Sequence, residues 1–195
     1  MNQDSNQGTS RREFLQNTSR VAVASAVASA AVPRVHAGEN NTIKVALIGC
    51  GGRGTGAAAN AMSVANGPIK LLAMADVFAH RLSTSYTNLK RTYGDRLDVP
   101  EDRRFVGFDS YKKAMDCLKK GDVVILTTPP AFRWVMFKYA IEKGLNVFME
   151  KPFAPDPGGL RRMLQAGEEA ERKGVKIAAG LQCRHSPARQ ALIDK

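Results

Sequence analysis

Metal and redox chemistry have little to work with in this chain. Its three cysteines, Cys50, Cys117 and Cys183, are odd in number and widely spaced, with no Cys-x-x-Cys or Cys-His cluster. That pattern offers neither a zinc ligand set nor a dithiol pair, and the three read as buried free thiols. No apolar run is long enough to cross a bilayer: the stretch from Val21 to Val32 falls well short of the roughly 20 residues a spanning helix needs. There is no internal repeat and, beyond the first 37 residues, no low-complexity tract. Acids are the scarcer charge, 18 Asp and Glu against 29 Lys and Arg, and the resulting +11 suits anionic ligands or surfaces. Nucleic acid is nevertheless not indicated. The basic residues are scattered over several helical segments, without a helix-turn-helix, zinc-finger or aromatic-basic strand signature.

What is present begins with Ser10-Arg11-Arg12-Glu13-Phe14-Leu15. Paired arginines in a basic, polar start, followed by a modestly apolar stretch and by the small residues around Val35-His36-Ala37, form the pattern of a twin-arginine export signal cleaved before Gly38. Residues 1–37 are therefore expected to engage the twin-arginine machinery and direct the folded protein to the periplasm, with no stable membrane anchor. A disordered basic tail is the plainer alternative. The route carries folded proteins, so a cofactor can be loaded in the cytoplasm before export.

From residue 38 onward, short Val-, Ile- and Leu-rich runs alternate with longer segments of helical period. Strands are expected at Ile43 to Ile48, Ile69 to Ala75, Arg104 to Phe108, Val123 to Thr127, Asn146 to Met149 and Lys176 to Gly180. Helices are expected at Arg53 to Ala65, His80 to Tyr93, Tyr111 to Lys119, Phe132 to Lys143 and Gly158 to Lys173. Asp109 or Ser110 can cap one helix, Asp156 with Pro157 starts another, and Gly121, Gly144 and Gly174 sit where a left-handed residue is wanted. The fold class is α/β, a doubly wound parallel sheet with helices on both faces, and residues 38–187 make one domain of it. In such a sheet ligands bind at the C-terminal edge of the strands, where the strand order reverses.

Three motifs fall on that edge. Gly49-Cys50-Gly51-Gly52-Arg53-Gly54 follows an apolar strand and opens a helix, and Asp76 closes the next strand, which raises a weak glycine pattern to a dinucleotide fingerprint. Gly49 permits the turn, Gly51 lets a pyrophosphate approach the backbone, and Gly54 allows close helix–strand packing, while the helix N-terminus at Gly52 and Arg53 offers free amides. Asp76 would accept hydrogen bonds from ribose hydroxyls and repel a 2′-phosphate, favouring NAD; Arg81, one turn on, leaves NADP open. Thr127-Thr128-Pro129-Pro130 ends the fourth strand in a rigid turn. Glu150-Lys151-Pro152 ends the fifth, placing an acid able to form an ion pair and a tunable lysine beside the glycine loop.

Together these residues resemble the nucleotide-binding half of the Gfo/Idh/MocA oxidoreductases. The match runs from Ile43 to about Pro187, through the glycine loop, Asp76, Thr128-Pro129, Gly144-Leu145-Asn146-Val147, Glu150-Lys151-Pro152 and Gly180-Leu181-Gln182-Cys183-Arg184-His185-Ser186-Pro187. The resemblance implies a nicotinamide-dependent dehydrogenase acting on a sugar, cyclitol or related hydroxyl compound. It gives Lys151 the catalytic role beside the nicotinamide, with a cis bond to Pro152. It places Glu150 in the nicotinamide pocket, and Thr128 and Pro129 against the cofactor. Arg184 matches the arginine after the sixth strand.

Two departures stand out. Many relatives carry a histidine shortly after the Thr-Pro turn, where this chain reads Ala131-Phe132-Arg133-Trp134. The family also has a second, mostly antiparallel domain that binds substrate, supplies an Asp and a His to work with the lysine, and forms the oligomer interface. Residues 188–195 read as the start of a helix leading to such a domain, so the sequence is expected to be a fragment. The alternatives are an NAD-binding module without turnover, one half of a split enzyme, or a basic surface binder whose affinity collapses with salt.

Overall fold

The computed structural model describes residues 41–65 and 67–194. The export signal expected at residues 1–37 lies outside them. Within the described residues six strands form one sheet in the order β3-β2-β1-β4-β5-β6, every neighbouring pair parallel. They are β1 (Ile43–Ile48), β2 (Ile69–Asp76), β3 (Arg104–Val106), β4 (Val123–Leu126), β5 (Asn146–Met149) and β6 (Ile177–Ala179). The helices are α1 (Gly52–Met62), α2 (Ala79–Tyr93), α3 (Ser110–Asp116), α4 (Pro130–Glu142), α5 (Pro157–Arg172) and α6 (Pro187–Ile193). The order reverses between β1 and β4, the point where a doubly wound sheet opens a crevice.

Alternation along the strands feeds two cores. Val45 and Leu47 of β1 pack with Ala57, Ala58 and Met62 of α1 and with Leu82 and Leu89 of α2. Ala46 and Ile48 face the other way, toward Tyr111 and Met115 of α3, Phe137 and Ile141 of α4, and Met163 and Ala170 of α5. Strands buried on both faces lose the polar alternation of a half-exposed sheet, which explains why they read in sequence as continuous apolar runs. Leu47, fully sealed, contributes about 1.5–3 kcal/mol by leaving water. In β2 the register slips one residue between the Val45–Leu71 and Ala46–Ala73 pairs, so Leu72 and Ala73 both serve the second core.

The expected elements are present, with ends that local chemistry adjusts. Strand β3 stops at Val106 because Gly107 turns to φ +119° and gives its N–H to Asp76 O at 3.1 Å. Helix α4 begins two residues early, since Pro130 fits the first turn, where no N–H is needed. Helix α3 ends at Asp116 and α1 at Met62, each shorter than expected. Asp156 caps α5 by accepting from Gly159 N–H at 2.8 Å, and Gly121, Gly144 and Gly174 all take positive φ. Asp109 stands at the N-cap of α3 without capping it; its carboxylate instead pairs with Lys112 at 3.0 Å. The cysteines correct the reading of three buried thiols: Cys50 is buried, Cys117 partly covered and Cys183 exposed.

Candidate functional site

One wall of the crevice is made of backbone. Gly49 leaves β1 at φ +96°, donating its N–H to Ala75 O at 2.8 Å, and a Cβ there would meet Thr127 Oγ1 at 2.9 Å. A Cβ on Gly54 would lie 1.9 Å from Gly49 O, so α1 can cross β1 this closely only with glycine at that position. Thr127 Oγ1 sits 3.1 Å from Ile48 O and 2.6 Å from Gly49 O, tying the end of β4 to the turn. Asp76 holds the turn from the other side. Its carboxylate accepts from Cys50 N–H at 2.6 Å and from Phe78 N–H at 2.8 Å. Burial, followed by the nearby Asp76 charge, pushes the Cys50 thiol far above its usual range and keeps it protonated.

The opposite wall is held by charge. Arg53, in the first turn of α1, reaches Glu150 at the end of β5, with Nε and Nη2 at 2.7 and 2.6 Å from Oε1. Glu150 is buried against the end of β6, where a Cβ on Gly180 would strike its carboxylate at 2.4 Å. Arg133, in the first turn of α4, is only 2% exposed and donates to the backbone oxygens of Thr128, Glu150 and Pro152. Burial lowers its pKa, and Glu150 partly offsets this. The Lys151–Pro152 bond is cis, as the resemblance implied.

Between these walls lies a cleft of about 1860 Å³. Of the residues singled out in the sequence, Gly49, Gly51, Arg53, Asp76, Thr128, Pro129, Glu150 and Lys151 all line it. Gly54 lies beneath the turn, while Gly52 borders a smaller neighbouring hollow with Thr55, His80 and Ser85. Arg184 is exposed and takes no part in the lining, although Cys183 and His185 on either side of it do. Sequence reading gave Thr127 and Arg133 no role in the site. Thr127 adjoins the Thr128-Pro129 turn without standing out, but Arg133 left a signal: its spacing to Phe137 and Ala140 puts an arginine on the buried stripe of α4.

No curated protein sequence matches the chain. Among solved structures it resembles the scyllo-inositol dehydrogenase of Lactobacillus casei with bound cofactor NAD(H) and scyllo-inositol (23% identity, TM-score 0.58, 78% of this chain and 41% of that one). It also resembles the myo-inositol 2-dehydrogenase of Lactobacillus plantarum (22%, 0.60, 78% and 41%). A third is the UDP-N-acetylglucosamine 3-dehydrogenase of Acidithiobacillus ferrooxidans (20%, 0.60, 78% and 43%). At these identities the likeness is one of fold, and the chain spans less than half the length of each. The family model for Gfo/Idh/MocA oxidoreductases, NAD-binding Rossmann fold, matches residues 43–180. With that match covering most of its length, the chain belongs to the Gfo/Idh/MocA oxidoreductase family.

Proposed function

We propose that the chain is the nicotinamide-dinucleotide-binding part of an exported dehydrogenase acting on a sugar, cyclitol or related hydroxyl compound. The observation that carries this reading is the convergence of the glycine turn, Asp76 and Lys151 on one cleft at the sheet's reversal point. The cleft also fits the family's cofactor. A Cβ built on Gly51 meets nothing within 4 Å, which leaves open room over the N-terminus of α1, where unpaired amides and the helix dipole favour an anion. Bound there, NAD would supply a two-electron acceptor or donor for the substrate carbon.

The chain's own residues divide the remaining work. The amides of Gly51 to Arg53 bind the pyrophosphate. Asp76 spends two of its carboxylate's roughly four acceptor sites on the turn, and the others are left for ribose hydroxyls. Its charge disfavours a 2′-phosphate, and the Arg81 guanidinium lies over the Phe78 ring at 4.9 Å. Lys151 is exposed at the cleft and makes no ion pair among the described residues, so its ammonium is available to a substrate oxygen. Glu150, held by Arg53, borders the nicotinamide end.

The substrate-enclosing surface and the acid–base partners of Lys151 are to come from protein beyond the described residues, in a second domain that also makes the oligomer interface. A second reading, an NAD-binding module without turnover or one half of a split enzyme, is favoured by the exposure of Lys151, which has no hydrogen-bonded acid–base partner among the described residues. Oxidation of inositols and aldoses coupled to NADH appearance, assayed with protein isolated from its own cells, separates the two: turnover supports the dehydrogenase, and NADH binding without turnover supports the module. Arg11→Lys with Arg12→Lys is expected to retain the protein in the cytoplasm on cell fractionation; unchanged export would remove the twin-arginine route.

A further inference from the structure

Arg133 is set where an arginine is costly. Burial strips a guanidinium of its hydration, and a cation in the first turn of a helix opposes the helix dipole. What offsets both costs is a set of backbone oxygens that the sheet does not engage. Thr128 follows the end of β4, and Glu150 and Pro152 flank Lys151 just after β5. The planar fork of the guanidinium lets one side chain hold all three, which a lysine's ammonium cannot do with the same geometry. The nitrogens Nη1 and Nη2 carry these bonds, while Nε is buried without a partner. The side chain is therefore committed to this loop and to no other structural bond. Helix α4 anchors it: Phe137, one turn further, is sealed in the core between α4 and the sheet.

Resting on the dehydrogenase reading above, we infer that Arg133 is a positioning residue for Lys151, clamping the carbonyls of the residues on both sides of the lysine to the Thr128 turn so that Nζ faces the nicotinamide end of the cleft. Arg133 borders the cleft but is 2% exposed, with Nη1 and Nη2 turned to the loop oxygens. It acts only through the direction it imposes on Lys151.

The test is a double-mutant cycle in the full chain, reading the ratio of NADH to ADP-ribose affinity, since ADP-ribose lacks only the nicotinamide and reports on the adenosine and pyrophosphate sites. Arg133→Met and Lys151→Gln are each expected to lower NADH affinity about tenfold while leaving ADP-ribose within about twofold, as loss of positioning does. The double variant is expected to be no worse than Lys151→Gln, because Arg133 then has nothing left to position. If Arg133→Met does not fold, Arg133→Lys completes the same cycle with a smaller loss. Equal loss of NADH and ADP-ribose would make Arg133 merely structural and overturn the inference. Additive losses, or a ratio that no variant moves, would overturn it too. An unmodified chain that binds neither ligand would remove the dehydrogenase reading itself.

Discussion

The two walls of the cleft are built by different means. On the β1 side, backbone meets backbone: Gly49 and Gly54 bring α1 against the strand, and Thr127 and Asp76 tie the turn through main-chain atoms. On the β5 side, long charged side chains reach across the sheet, Arg53 to Glu150 and Arg133 to the Glu150–Pro152 loop. At Gly49 and Gly54 the first wall tolerates almost no added volume, and the one charge that holds it, on Asp76, acts through backbone amides. The second depends on charge and hydrogen-bond geometry, and its most exposed member, Arg53, is half open to solvent. Shape is thus fixed where the dinucleotide backbone would lie, and adjustable side chains gather where a substrate would react.

Substitutions on the rigid wall are expected to cost most. Gly54→Ala forces a methyl onto Gly49 O, a backbone atom that cannot move aside, and should destabilise the fold by about 3 kcal/mol in urea unfolding. A loss below about 1 kcal/mol would mean that α1 can retreat from β1 at little cost, and the contrast between the walls would disappear. Asp76→Ala is expected to weaken NADH binding by about tenfold, with less discrimination against NADPH, because ribose acceptors, phosphate repulsion and the Cys50 amide tie go together. Equal NADH affinity before and after the change would place the cofactor elsewhere. Thr127→Val removes one hydroxyl bridge at constant shape and should cost about 1 kcal/mol of stability with dinucleotide affinity retained.

The same contrast explains what could be read from the sequence. The rigid wall was legible because its requirements are local: a strand, a glycine pattern and a strand-ending acid lie within one short stretch of chain. The strands were legible for a similar reason, with Val-, Ile- and Leu-rich runs buried on both faces. The charged wall was legible only as a motif. That Glu150 would take Arg53, 97 residues away in sequence, depends on β5 lying next to β4 and β4 next to β1, which is a property of the finished sheet. Arg133 showed itself only as an arginine out of place on an apolar stripe. Asp76 was read as a ribose acceptor, and its bonds to Cys50 and Phe78 amides emerge only once the turn is folded.

The smallest effect concerns thiols, and it samples both walls without a mutation. Cys50 is buried in the glycine turn with its thiol kept protonated, whereas Cys183 is exposed on the cleft's other side. Iodoacetamide is expected to modify Cys183 first and Cys50 last, followed by mass spectrometry of the peptides. Early modification of Cys50 would show that the glycine turn opens readily and is not the rigid wall described.

Titration of the full chain and of Gly51→Val with NADH, alongside their thermal unfolding, tests the central claim most directly. Open space around Gly51 and its ordinary φ of −70° mean that valine is accommodated without strain while filling the room over α1. The account predicts saturable NADH binding by the unmodified chain, loss of that binding in Gly51→Val, and an unchanged melting temperature. NADH binding that survives the substitution, with the fold intact, would contradict it.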